Sequence, residues 1–270
     1  MDLIIIGQHG PHVRTLQDRL LRAGYPVTVD GDFGPETETA LRQLQRDRHL
    51  VEDGAAGPKT LAALLGRDTS HLLSQSDIAS AAEQLGVDLA TVHAVKAVES
   101  RGEGFLDDGR PVILYERHVM RRRLARNGHT RDQIRALGQR YPGLVNKEPG
   151  GYRGASAEHY RLNLARTLDD TSALESCSWG LFQIMGHHWE RLGFESVQAF
   201  TRAMALSEGN QLVTFVQFVR TDEHLLTALQ AQDWAAFARR YNGPGYRKNQ
   251  YDTRLAQAYA ESQPTGETHA

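Results

Sequence analysis

Apolar positions recur at helical spacing along most of the chain. Val13, Leu16, Leu20 and Leu21 fall on one stripe of a 3.6-residue helix, closed by Gly24. Behind this helix, DGDFGPETETAL at 30–41 and DGAAGPKTLAAL at 53–64 align at an offset of 23 residues. Each copy reads as a tight Asp-Gly turn, then a Gly-Pro helix entry with a short apolar helix behind it. The pattern predicts a three-helix domain over 1–68, followed by a linker at 69–76 that lacks clear periodicity.

Helical patterning resumes in SDIASAAEQL, with Ser76 as the expected N-cap and Ile78, Ala81, Ala82 and Leu85 on one face. Further helices are expected at 91–100, at 130–139 with Thr130 and Gln133 as a capping box, and at 156–168, 207–230 and 233–241. One short strand, Val112–Tyr115, follows the turn Asp108-Gly109, and Gly180 is expected to open a helix in SWGLFQIMG. The fold class is therefore mainly α: a small helical domain, then a larger helical domain over 77–262 with a short β element, and a frayed tail at 263–270.

Composition narrows the function classes. A chain of 270 residues suits two unequal domains, and its net charge of −2 gives no reason to expect nucleic acid as a partner. A single cysteine, Cys177, rules out an internal disulfide and a multi-cysteine metal knuckle. The apolar start Leu3–Ile6 is too short for a signal-peptide core, and no run approaches the roughly 20 residues that span a bilayer. The expectation is a protein made in the cytoplasm without a signal peptide, without stable membrane insertion, and monomeric.

The richest chemistry sits in HAVKAVESRGEGF at 93–105. Val92, Val95 and Glu99 share a helix face, Val98 stands beside them, and Gly102 and Gly104 end the helix. A carboxyl held against apolar neighbours is pushed toward its neutral form, and only a neutral carboxyl donates a proton near pH 7. The competing account is a solvated glutamate at a helix end. In SWGLFQIMG, Ser178 and Gln183 stand among Trp179, Leu181, Phe182, Ile184 and Met185, either beside a groove or as satisfied polar groups in a buried helix. In YNGPGY, a rigid Gly243-Pro244-Gly245 turn separates Tyr241 and Asn242 from Tyr246; rings and amides suit sugar recognition, and a plain loop is the alternative. Trp234, Phe237 and Tyr241 read mainly as a core stripe. His187 and His188 are adjacent and cannot form an i, i+4 zinc pair, and Cys177 reads as packing. The basic run RHVMRRRLARNGHTR at 117–131 reads first as a solvated helix face and second as a contact for anionic cell-surface polymer.

Taken in order, AVKAVESRGEGF, GRPVILYERH, SWGLFQIMG, DWAAFARRYNGPGY and NQYDTRLAQAY resemble the N-acetylmuramidase domain of modular phage endolysins, within the lysozyme-like superfamily. The first domain resembles the three-helix peptidoglycan-binding module, through Gly10, Val13, Leu16, Gln17, the two Asp-Gly turns, Thr37, Leu41 and Gln45, with Leu44 where that module often has phenylalanine.

The resemblance implies that bacterial peptidoglycan is the partner. It also implies that Glu99 is the general acid for cleavage between N-acetylmuramic acid and N-acetylglucosamine, with no metal or cofactor. Ser178, Trp179, Gln183, Tyr241 and Asn242 are the expected groove residues. Asp30, Gly31, Phe33, Gly34, Asp53, Gly54 and Gly57 are the expected wall-anchor positions. Glu116, just after the strand, is the candidate second carboxylate, in competition with Asp107, Asp108 and Glu103 and with an ion pair to a neighbouring arginine. Such an enzyme reaches the wall through a pore made by another protein. The rival readings are a lytic transglycosylase using the same glutamate and a non-catalytic wall-binding or virion protein.

Overall fold

The computed structural model describes residues 3–100 and 102–263. Positions 264–270 of the expected tail lie outside the described residues. The chain forms two compact units that divide between Ser80 and Ala81.

The first unit carries α1 (Pro11–Arg22), α2 (Pro35–Asp47) and α3 (Pro58–Leu64). Each is entered through a Gly-Pro step, whose fixed φ and missing N–H suit a first helical turn. Val13, Leu16, Leu20, Phe33, Leu41 and Leu44 form the core. The α1 stripe is turned from the expected one: Leu21 is 48% exposed and Gln17 is 1% exposed.

Gln17 is buried because its amide is fully used. Its Nε2 donates to Asp30 Oδ1 at 2.8 Å and to Asp32 O at 3.0 Å, and its Oε1 accepts from Gly31 N at 2.8 Å. Gln45 on α2 repeats the device, donating to Asp53 Oδ1 at 2.8 Å and accepting from Gly54 N at 3.0 Å. Each buried glutamine thus clamps the Asp-Gly turn of the next repeat. Gly54 has φ +70°, a left-handed conformation that favours glycine, and a Cβ there would displace the Glu38 and Arg42 side-chain ends. The expected anchor residues are therefore largely consumed by the fold. Phe33 is a core residue, Gly31, Gly54 and Gly57 are buried, Gly34 is half-buried, and only Asp30 and Asp53 are exposed.

Helix α4 (Gln75–Leu85) is capped by Ser74 rather than by the expected Ser76. The Ser74 hydroxyl accepts from Asp77 N, while the Asp77 carboxylate accepts from Ser74 N at 2.9 Å. This reciprocal pair satisfies two end donors at once, which Ser76 cannot do from inside the helix.

The second unit continues with α5 (Leu89–Glu99), β1 (Ile113–Tyr115), α6 (Arg117–Arg126), α7 (Arg131–Arg140), α8 (Ser156–Arg166) and α9 (Asp170–Glu175). The strands β2 (Cys177–Trp179) and β3 (Ile184–Met185) follow, then α10 (Val197–Met204), α11 (Glu208–Arg220), α12 (Glu223–Gln230), α13 (Trp234–Asn242) and α14 (Tyr251–Ser262). The expected capping box of Thr130 and Gln133 is present at α7. The expected 207–230 helix is two helices, because Asp222 accepts from Leu225 N and starts α12 afresh.

The largest departure lies in SWGLFQIMG, which is a hairpin rather than a helix. β2 pairs antiparallel with β1 on one side (Leu114 opposite Ser178) and with β3 on the other (Trp179 opposite Ile184). Gly180 at φ +70° and Gln183 at φ +52° turn the chain between β2 and β3. A Cβ on Gly180 would meet Gln211 Cδ at 2.4 Å, so the glycine serves close approach as well as the turn.

Two buried polar groups hold this unit together. Glu158 on α8 accepts from Tyr115 N at 3.1 Å, Arg153 N at 2.6 Å and Arg161 Nη1 at 2.6 Å, which ties β1 to α8. These donors outweigh desolvation and hold its carboxyl below the usual range. Gln211 on α11 accepts from Leu181 N at 2.6 Å and donates to Met204 O at 2.9 Å and Gly104 O at 3.3 Å. It joins the hairpin turn, the end of α10 and the loop after α5.

Gln211→Leu leaves three buried backbone groups without this partner, at roughly 1–3 kcal/mol for each. The unfolding transition of the second unit is expected to fall by roughly 10 °C or more in scanning calorimetry; an unchanged transition would show that the linkage carries no stability.

Candidate active site

Glu99 is the last residue of α5. Val92, Val95 and Val98 are buried on that helix, at 3%, 2% and 8% exposure, and the glutamate stands half-buried at the end of their face. α14 packs along α5, with Leu255 fully buried, and closes one side of the site.

Glu99 opens into a cavity of about 380 Å³. Val98, Phe182, Ile184, Met185 and Phe218 supply apolar wall, and Tyr241 and Tyr251 supply rings. Among the described lining residues Glu99 is the sole carboxylate. Burial pushes its carboxyl up to about 7, against partial opposition from the Asn242 hydrogen bond and the charge of Arg254. The C-terminal end of α5 carries the negative pole of the helix, which further disfavours a carboxylate there.

Asn242, at the end of α13, donates through Nδ2 to Glu99 Oε1 at 2.7 Å. Oε1 is therefore the accepting oxygen, and the acidic proton belongs on Oε2. Tyr241 lies beside it, stacked on Phe237 at 5.7 Å, with its hydroxyl donating to Phe182 O at 3.0 Å. That bond pins the hairpin turn against α13. Burial raises the phenol well above its ordinary value, so it stays neutral.

Gln183 reaches the cavity from the same turn, but its amide is held within the hairpin. Its Oε1 accepts from Ser178 Oγ at 2.8 Å and its Nε2 donates to Gly180 O at 2.8 Å. Ser178 is absent from the cavity lining and acts on the site by holding Gln183. Trp179 departs from the expectation of a groove residue. Its ring is 5% exposed and its Nε1 donates to Leu174 O at 3.3 Å, because β2 turns it into the core.

Glu116 also departs from expectation. It is not among the cavity-lining residues; its carboxylate accepts from Tyr152 Oη at 3.0 and 2.9 Å and lies 3.1 Å from His118 Nδ1. The residue follows β1, as the sequence suggested, but it precedes α6 and is held there by a tyrosine, with His118 beside it, rather than by an arginine. Asp108, one of its competitors, is paired with Arg110 at 2.5 Å.

Several lining residues escaped the sequence reading. Phe218 had no motif to mark it, and Tyr251 lies in NQYDTRLAQAY without having been singled out as a groove residue. His188 also lines the cavity, and burial depresses its imidazole to about 3, so it stands neutral beside Glu99. Among the described residues no group of three or more His, Cys, Asp or Glu stands where a metal ion could be held, and no helix is long and apolar enough to cross a membrane.

Comparisons with known proteins bear on the same elements. The N-acetylmuramidase family matches residues 88–263, and the putative peptidoglycan binding domain family matches residues 9–64. The crystal structure of an endolysin from Burkholderia phage AP3 superposes with a TM-score of 0.88 at 46% identity, covering 97% of this chain and 99% of that one. Shorter matches join the chain to an N-acetylmuramoyl-L-alanine amidase of Mycobacterium tuberculosis, 47% identical over 57 residues (21% of this chain and 14% of that protein). A zinc D-Ala-D-Ala carboxypeptidase of Streptomyces albus G is 46% identical over 59 residues (20% of this chain and 22% of that protein). The chain spans less than a quarter of the length of these curated relatives. Those stretches are about as long as the binding module, and the relatives carry other activities, so they speak to the module alone. The chain belongs to the N-acetylmuramidase family, built as a peptidoglycan-binding domain followed by a muramidase domain.

Proposed function

We propose that this protein is a peptidoglycan hydrolase that cleaves the β-1,4 bond between N-acetylmuramic acid and N-acetylglucosamine, with Glu99 as general acid. The observation that carries the reading is a carboxyl with its pKa raised to about 7, half-buried at a cavity of about 380 Å³ lined by both aromatic and polar side chains. Oε2 donates its proton to the glycosidic oxygen as the bond to the anomeric carbon lengthens, and Asn242 stabilises the carboxylate left behind. Positive charge grows on the sugar ring that keeps the anomeric carbon, whose own acetamido carbonyl is one group able to meet it. Water then completes hydrolysis, and the first unit raises the local concentration of substrate by holding the wall.

The lone carboxylate among the described lining residues gives specific support to a second reading. Once Glu99 has protonated the leaving oxygen, its carboxylate can take the proton of the muramic 6-hydroxyl as that oxygen closes on C1 and leaves a 1,6-anhydro end. Mass spectrometry of digested sacculi separates the two: reducing ends support the hydrolase, and anhydro ends support the transglycosylase. Glu99→Gln is expected to keep wall binding and lose lytic turnover by roughly 10² or more. Near-normal turnover of that variant removes Glu99 from the chemistry under either reading.

The acid acts only while protonated, so turnover is expected to fall as pH rises through about 7. The Asn242 hydrogen bond lowers the Glu99 pKa, so Asn242→Leu should move this basic limb to higher pH whatever it does to the maximal rate. A limb that stays in place, or moves to lower pH, contradicts the assignment of the limb to Glu99.

A further inference from the structure

The basic run at 117–131 does more than present a solvated helix face. α6 and α7 with the segment after α7 enclose a second cavity, of about 630 Å³, larger than the one at Glu99. Arg121 and Arg122 enter it from α6, Arg131 and Arg135 from α7, and Lys147 from the following loop. On α7, Arg131, Ile134, Arg135 and Gly138 stand at i, i+3, i+4 and i+7, so one helix face is given over to this cavity. Ile134 and Val145 are buried and provide apolar floor. No carboxylate is among the described lining residues.

The charges are poorly compensated. Arg135 meets exposed Asp132 at 3.3 Å, a weak surface pair. Arg121, Arg122, Arg131 and Lys147 have no carboxylate of a described residue within 4 Å. Four such cations gather around one concavity, and the whole chain, at net charge −2, gives no general excess of positive charge to explain it. Arginine is the residue suited to forked hydrogen bonding of phosphate. The cavity also lies within the roughly 300–1,000 Å³ range of small-molecule sites.

We propose that this cavity is a binding site, separate from Glu99, for a ligand bearing two phosphates on a small polar scaffold. Two phosphomonoesters, each carrying about −1.5 to −2 charges, balance the four unpaired cations, whereas one leaves half of them uncompensated. The site is independent of the catalytic reading, since no lining residue is shared with the Glu99 cavity. The same chemistry occurs on a soluble sugar bisphosphate and on a bisphosphorylated lipid headgroup.

Titration calorimetry of the full chain at low salt tests the proposal with glucose 1,6-bisphosphate, glucose 6-phosphate and inorganic phosphate. The bisphosphate is expected to bind at least tenfold more tightly than either monophosphate probe and to weaken steeply with salt. Arg121→Gln/Arg131→Gln, and independently Arg122→Gln/Lys147→Gln, should weaken it tenfold or more, while Arg202→Gln on α10 leaves it unchanged. Vesicles containing phosphatidylinositol bisphosphate, compared with phosphatidylglycerol vesicles of equal surface charge, distinguish the lipid-borne source from the soluble one: preference for the former supports a headgroup ligand. Absence of saturable binding, equal binding of mono- and bisphosphate, or unchanged binding by both folded double variants overturns the proposal. Equal binding to both vesicle types without bisphosphate binding overturns it too, leaving only a diffuse basic surface.

Discussion

A carboxyl withdrawn from water is the constraint on which the catalytic unit depends. Glu99 ends a helix whose buried valines leave it little solvent, at the pole that least favours negative charge. Both effects hold the proton on the side chain, and a single donated hydrogen bond from Asn242 keeps the shift from going further. The arrangement has a thermodynamic consequence. A carboxyl with its folded pKa above the unfolded value contributes stability that is complete below about 4.5 and is lost as pH rises through about 7. The site thus stores strain at the pH where the charged form appears.

The rest of the unit can be understood as the frame that keeps this carboxyl dry and its neighbours fixed. α14 covers α5 on one side, and the β2–β3 turn reaches the cavity from the other. That turn has no long strands to stabilise it, so side chains do the holding: Gln211 binds Leu181 N, Tyr241 binds Phe182 O, and Ser178 binds Gln183. All three bonds converge on the consecutive residues Leu181, Phe182 and Gln183. The first unit uses the same economy, with Gln17 and Gln45 each fixing an Asp-Gly turn.

Those internal amides also explain what could be read from the chain and what could not. Apolar periodicity revealed the helices around Val13, Ile78 and Val95 and the strand at Val112–Tyr115, because each buries one regular face. The Asp-Gly repeat revealed the three-helix unit. Gln17 broke the α1 pattern because a glutamine looks like surface until its partners, 13 to 20 residues away, are known. SWGLFQIMG misled for a related reason: its apolar residues are continuous, and its first strand is paired with β1, which lies far away in the sequence. Glu99 was legible because its helix face and its glycine stop are local. Glu116 was not, since its engagement with Tyr152 spans 36 residues.

The central claim is that burial keeps Glu99 protonated at neutral pH, and direct titration tests it most closely. Carbon-13 NMR of side-chain carboxyls in the glutamate-labelled protein, with Glu99→Gln used to assign the resonance, reports its ionisation without reference to activity. The account predicts one glutamate carboxyl titrating near 7 and missing from the variant. A Glu99 resonance that titrates near the ordinary value of about 4.3 would contradict it.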